Sequence, residues 1–366
     1  MKVTLMAAHM ADSARKVNFH FWVEAMNALG IDVDFVTVGF SDATKFKKSS
    51  RQFNPPYNQW VQLNPHLRKY LWKPLFHPFS LGHPVLNKMT SKILSYYPSL
   101  MPHNLKETFA DTDLFIIENG AGLLLTTQLK KQYPNAKFLY SVCDRIETLG
   151  YHPLVLQAEK DSLPLFDVIR VPSIAMQGDY DAKYNVQFIP HGLDKTIFDK
   201  DNATPYTRNN NVISVGDMLF DADTVLLLAT TFPKWTFHLF GKKAKLDNPP
   251  SNVIAYGERP FDFIVPFIQH ADIGLAPYRN AVNADYLSQS SLKMNQYSYC
   301  KLPILAPNFA AAGRNHVCGY EPEDKQSRIS AMEKATMFDR DTINTAEIID
   351  AMQSTTLMLN SVGIKT

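Results

Sequence analysis

The stretch that decides the fold is residues 276–307, APYRNAVNADYLSQSSLKMNQYSYCKLPILAP. The apolar run Ile273-Gly274-Leu275-Ala276 meets Pro277, which has no N–H to give a sheet ladder, so a strand ends there and Tyr278 stands at its carboxyl edge. Open α/β sheets bind ligands at that edge. After a polar loop, Ser290 and Ser291 precede Leu292-Lys293-Met294-Asn295-Gln296-Tyr297, so their hydroxyls are placed to cap a helix whose free amides and positive dipole end attract phosphate. Lys293 and Gln296 lie three apart and share a face of that helix. The bland reading is an ordinary capped helix carrying a solvated lysine.

The chain has 366 residues, more than one hydrophobic core usually organises, which predicts two domains. Its 45% hydrophobic and 20% charged content is that of an ordinary globular protein. A net charge of +2 hides an uneven distribution: residues 43–106 hold ten Lys or Arg and no Asp or Glu, which points to an acidic partner. Cys143, Cys300 and Cys318 are widely spaced, which argues against a disulfide framework or a zinc cluster and for a reducing compartment. Neither a leader's apolar core nor an apolar run of about 18 residues is visible, so a soluble or peripheral protein is expected.

From the first residues onward the pattern alternates strand and helix. A buried strand at residues 3–8, an amphipathic helix at 17–29 closed by Gly30, and a strand at 31–38 make an opening βαβ unit. Its first turn has no glycine, so the GxGxxG fingerprint is missing and a dehydrogenase is disfavoured. Residues 43–106 break the rhythm, interleaving basic residues with aromatics such as Trp60, Tyr70, Trp72 and Tyr97. That composition suits an anionic membrane surface, and the preferred reading is membrane contact through 43–106. Single-stranded nucleic acid and an irregular insertion with core aromatics are the alternatives, the former lacking any RNA-binding signature. Strands are expected again at 113–117, 138–142, 168–171 and 186–189. A polar linker with a proline follows, then a second α/β unit with strands at 212–215, 236–240 and 253–256 and a helix near 261–270. The expected architecture is α/β, two Rossmann-like domains with a cleft between them: residues 1–195, a linker 196–211, a donor-binding domain 212–340, and a closing helical run at 341–366 returning to the first domain.

Candidate chemistry sits at the predicted strand ends. Asp144 follows a strand, where a carboxylate can take a proton from an attacking hydroxyl; its bland role is a helix cap. His9 follows the first strand as a base or phosphate contact, or as a structural turn residue. Glu258 stands beyond a strand as a hydrogen-bond acceptor for a base or ribose, or as one more surface carboxylate. Met218 is placed to pack on a nucleoside, or to fill a core. Asp-x-Asp pairs recur along the chain, which makes each uninformative, and no obligatory metal or other cofactor is expected.

Taken as ordered blocks, these residues resemble the bacterial GumK-like glucuronosyltransferase family of GT-B glycosyltransferases. The blocks are Asn18-Phe19-His20-Phe21, Glu118-Asn119-Gly120, the segment from Tyr140 to Asp144, His191-Gly192-Leu193-Asp194, and Val215-Gly216-Asp217-Met218-Leu219-Phe220-Asp221. They continue with Tyr256-Gly257-Glu258, the segment from Ile273 to Tyr278, and the run from Tyr286 through Tyr297. The resemblance implies an inverting, metal-independent enzyme. It would transfer glucuronate from UDP-glucuronate to a polyprenyl-diphosphate-linked oligosaccharide at the inner face of the cytoplasmic membrane, in polysaccharide synthesis. By position it puts the catalytic base on Asp144 and donor contacts on Met218, Glu258, Tyr278, Ser290, Ser291, Lys293 and Gln296, with Asp194 and Asp221 in matched blocks as further candidates. Cys143-Asp144-Arg145 departs from the family's Ser-Asp-Gly, and Arg145 adds a cation that favours an ionised Asp144. Another UDP-sugar, or a nucleotide-sugar epimerase on the same fold, are the alternatives. Arg145, Arg259 and Arg279 are candidate partners for the donor carboxylate.

Overall fold

Val3, Leu5 and Met6 are fully buried in the first strand, β1 (Lys2–Ala7), the centre of the first of two sheets. The structure is a computed structural model that describes residues 1–42, 55–281, 283–311 and 313–365. The chain divides into two units, one of residues 1–13, 22–189 and 354–366, the other of residues 14–21 and 190–353.

In the first unit β1 pairs in parallel with β2 (Asp32–Thr37) on one side and β5 (Leu114–Glu118) on the other. The helix Asn18–Ala28 returns the chain from β1, and Gly30, at φ +72°, takes the left-handed position after it. Beyond β2 lie β4 (Leu67–Leu71) and, antiparallel to it, β3 (Trp60–Asn64); beyond β5 lie β6 (Lys137–Ser141), β7 (Val168–Val171) and β8 (Val186–Phe188). The order is β3-β4-β2-β1-β5-β6-β7-β8, so the winding reverses between β1 and β5.

The described residues of the stretch 43–106 contain regular elements, and several of its aromatics fill the core. Part of the stretch, 43–54 with Lys45, Lys47, Lys48 and Arg51, lies outside the described residues. The rest supplies the β3–β4 hairpin and the helix Pro84–Leu94. Tyr70, Trp72 and Tyr97 are core residues. The hairpin's cations meet acids that are distant in sequence: Arg68 makes two bonds to Asp34, Lys69 pairs with Asp12 and Lys73 with Asp42. Most of the hairpin's basic surplus is thus cancelled by tertiary partners, while Lys88 and Lys92 stay exposed on the helix.

The second unit's sheet is wholly parallel, in the order β11-β10-β9-β12-β13-β14. Its strands are β9 (Asn211–Val215), β10 (Thr236–Phe240), β11 (Val253–Gly257), β12 (Ile273–Leu275), β13 (Ile304–Pro307) and β14 (Val317–Tyr320). Its reversal falls between β9 and β12, where Gly274 sits opposite Ile213. Gly274 has no room for a side chain, because a Cβ there would stand 2.4 Å from the ring of Tyr297. Near the chain's end the helix is shorter than the run at 341–359 suggested. Residues 340–342 form a 3-10 turn, and the α-helix is Ala351–Ser361. Among the described residues no helix is long and apolar enough to cross a membrane.

Candidate active-site residues

At the reversal point of the second sheet the loops after β9 and β12 are joined by backbone bonds. Asp221 N–H donates to Pro277 C=O at 2.8 Å, Arg279 N–H donates to Leu219 C=O at 2.7 Å, and Phe220 bridges Tyr278 in antiparallel fashion. Gly216, at φ +86°, starts the turn and donates its N–H to Phe240 C=O at 2.7 Å. Met218 stands at the turn's tip, partly exposed. Asp221 caps the helix Ala222–Thr231, accepting from the Asp223 and Thr224 amides at 3.1 and 3.3 Å.

This anchored edge carries the densest group of candidates. The Tyr278 ring is buried, its hydroxyl lies 2.7 Å from Ser291 Oγ, and Lys293 Nζ sits 4.4 Å from the ring centre. Ser291 occupies the cap position of the helix Leu292–Tyr299, yet its side chain makes no capping bond. The expected hydroxyl cap is corrected here: that oxygen is turned toward the tyrosine instead. Ser290 closes a preceding short helix, Leu287–Ser290, and is buried, as is Gln296 one turn past Ser291. Tyr297, on the same helix, accepts the Val215 N–H at 2.8 Å and so ties the helix to the end of β9.

Lys293 is half-buried, and its environment is costly for a cation. Desolvation pulls its pKa down to about 7; the charge of Asp217 opposes that shift and the charge of Arg15 adds to it. Arg15 and Arg314 escaped the sequence reading. Arg314 donates to Asn295 Oδ1 at 2.5 Å, and burial pulls its pKa down. Their only signal in the sequence was a basic residue near a strand end, which is too common to single out. Glu258 is exposed just past β11. Of the candidate carboxylate partners, Arg259 donates to Tyr256 C=O at 3.1 Å and lies over Phe263, and Arg279 is exposed. Asp194 starts the helix Lys195–Phe198 and accepts from Thr196 Oγ1 at 2.6 Å.

A separate group gathers at the carboxyl edge of the first sheet. Glu118, at the end of β5, accepts the Ala8 N–H at 2.7 Å and comes within 4.0 Å of His9 Nε2. Next to it Asn119 is buried and contacts the segment after β6: its Nδ2 donates to Asp144 C=O at 2.9 Å, and its Oδ1 accepts the Cys143 N–H at 3.0 Å. Asp144 is half-buried in that segment, and the 3-10 turn Ile146–Leu149 takes Arg145, not Asp144, as its cap residue. Burial, with the charge of Glu118 next in size, pushes the Cys143 thiol well above its ordinary pKa, so it stays protonated. Arg145 is held by Asp179 through two bonds, of 2.7 and 3.1 Å, and by Ala175 C=O at 3.3 Å.

The chain is similar to known proteins in sequence and in fold. Residues 5–172 match the family described as the N-terminal domain of glucuronosyltransferase GumK. Over 333 residues the chain is 28% identical to UDP-glucuronate:glycolipid 2-beta-glucuronosyltransferase of Xanthomonas campestris pv. campestris, covering 90% of this chain and 83% of that one. Among solved structures it resembles OtsA in its apo form, with a TM-score of 0.67 at 12% identity and full coverage of both chains. It also resembles sucrose-phosphate synthase of Thermosynechococcus elongatus, with a TM-score of 0.64 at 14% identity over 99% of this chain and 95% of that one. At such identities these two likenesses speak for the fold alone.

Proposed function

We propose, on the premise that this chain is a GT-B glycosyltransferase of the GumK-like family, that it transfers glucuronate from UDP-glucuronate to a polyprenyl-diphosphate-linked oligosaccharide with inversion. The observation that carries the donor half of this reading is the Tyr278–Ser291–Lys293 group at the reversal point of the second sheet. A half-buried lysine with a pKa near neutrality gains most from an anion, and the start of an eight-residue helix adds its amides and dipole. Lys293 and the helix start would neutralise the leaving diphosphate, so the proposed reaction draws on no metal. Met218 and Glu258 would meet the nucleoside, and Ser290 and Gln296 would complete the donor site.

In the proposed chemistry Asp144 takes the proton of an acceptor hydroxyl while that oxygen attacks the anomeric carbon. The bond from that carbon to the UDP oxygen breaks as the new one forms, inverting the centre and releasing UDP. His9, beside Glu118, is a second proton acceptor at the same sheet edge.

Peripheral membrane contact belongs to the same proposal. On the helix Pro84–Leu94, Val85, Met89 and Ile93 recur every four residues on one exposed face, Met89 at 71% exposure, with the exposed cations Lys88 and Lys92 beside them. An apolar stripe flanked by lysines in a stretch without acids fits the interface of an anionic bilayer, where the lipid-linked acceptor would reside.

Product analysis tests the reading. Incubation with UDP-glucuronate and a lipid-linked oligosaccharide should release UDP and add one uronate in β linkage, with chelator present or absent. Incubation with donor alone should leave the nucleotide sugar's stereochemistry untouched. Conversion of free donor to an epimer, or transfer only from another UDP-sugar, would replace this reading.

A further inference from the structure

We propose that Asn119 is a positioning residue for the transfer reaction, a single carboxamide that sets the direction in which Asp144 leaves the main chain. The inference rests on Asp144 being the base, and it gives a role to a residue that lies in a block carrying the resemblance but received none from it.

The geometry is specific. Asn119 Oδ1 takes the N–H of Cys143, which lies in the peptide plane before that residue, and Nδ2 gives to the C=O of Asp144, which lies in the plane after it. Between those two planes lie only the backbone torsions of Cys143 and Asp144, so fixing both planes fixes the Cα–Cβ direction of Asp144. A carboxamide suits this task because it offers a donor and an acceptor in one rigid plane. Aspartate keeps the acceptor and loses the donor, leucine has similar bulk and neither, and glutamine is a methylene too long.

Asn119 is itself held firmly. It is 2% exposed, its N–H donates to Ser141 C=O at 3.3 Å, and its C=O accepts from the Tyr151 hydroxyl at 3.4 Å. On the other flank of the loop Arg170, fully buried in β7, donates to Val142 C=O at 3.2 Å and to Ile189 C=O at 2.7 Å, while the Val142 N–H returns a bond to Arg170 C=O at 2.9 Å. Residues 142–144 are therefore gripped from both neighbouring strands beyond the end of β6. The tripeptide Glu118-Asn119-Gly120 acts as a bracket: Glu118 holds the loop after β1 and Asn119 the loop after β6. At Gly120 a Cβ would stand 3.2 Å from the Tyr151 hydroxyl, so glycine lets that ring close over the bracket.

The test compares Asn119→Leu, Asn119→Asp and Asp144→Asn in the full chain. For Asn119→Leu, kcat for transfer should fall about 10- to 100-fold per folded molecule, with UDP affinity by calorimetry within twofold of the parent. In Asn119→Asp the added carboxylate should also shift the alkaline-rising limb of the kcat/KM profile to higher pH, an effect that loss of folding would not produce. Amide exchange supplies a readout that needs no turnover: the Cys143 N–H should exchange at least tenfold faster in the leucine variant and stay slow in the aspartate variant, which keeps the acceptor. Should Asn119→Leu keep kcat within twofold while Asp144→Asn abolishes transfer, the positioning role is overturned and the reading of Asp144 stands. Should Asp144→Asn retain full turnover, Asp144 is not the base and the inference falls with it. Unchanged exchange at Cys143 in the leucine variant overturns the clamp whatever the reaction proves to be.

Discussion

Replacing Lys293 by methionine should stabilise the free protein and weaken UDP binding at once. The folded pKa of Lys293 is about 7, against an ordinary 10.5. The sign follows from the depressed value: above pH 10.5 both folded and unfolded forms are neutral and no cost arises, the cost grows as pH falls toward 7, and below that it is constant. Taken at face value the gap corresponds to roughly 5 kcal/mol. With the ammonium half-buried and partly solvated, about 2 kcal/mol is the working figure. Methionine keeps the unbranched stem and removes the charge, so the variant should gain about 2 kcal/mol at pH 7, or about 4–8 °C in melting temperature for a unit of this size. The gain should vanish near pH 10.5, where the parent's lysine is already neutral. UDP should bind roughly 10- to 100-fold more weakly, the worth of a charge-assisted contact. Calorimetry in buffers of different ionisation enthalpy gives the complementary signature. A phosphate bound at Lys293 restores its proton, so UDP should take up about 0.5 proton at pH 7 and about 0.9 at pH 8, where the terminal phosphate is itself fully ionised. A methionine variant that melts below the parent at pH 7, or that binds UDP unchanged, would refute the reasoning.

Asp144→Asn should lower transfer by about 10²- to 10⁴-fold and leave UDP affinity unchanged, as single-turnover assays and calorimetry will show; full turnover would remove Asp144 as base. Met89→Glu with Ile93→Glu should abolish co-sedimentation with anionic liposomes while sparing UDP binding, and the parent's binding should weaken at high salt; a variant that still sediments would move the contact elsewhere. Gly274→Ala should cost about 2 kcal/mol in urea unfolding, because its Cβ would meet the Tyr297 ring at 2.4 Å and the ring cannot yield without releasing the Val215 amide. A midpoint equal to the parent's would show that the helix Leu292–Tyr299 can shift freely over β12.

The sequence by itself determined the alternation of strand and helix, because burial on a parallel sheet writes continuous apolar runs and the loops between them carry their own turn chemistry. Thus β7 and β10 were readable to the residue, and Pro277 marked the carboxyl edge. Tertiary structure alone decided what distance in sequence conceals. The cations of the β3–β4 hairpin looked like a surface for an acidic partner until Asp12, Asp34 and Asp42 were brought beside them. Ser291 read as a cap, and only the fold turned its hydroxyl to Tyr278. The pKa of Lys293 depends on what packs around it, and the grip of Asn119 on Asp144 spans 25 residues. Local pattern fixes where a strand ends, because it depends on neighbours along the chain. The chemistry at that end is set by desolvation and hydrogen bonds from other strands, which no window of sequence contains.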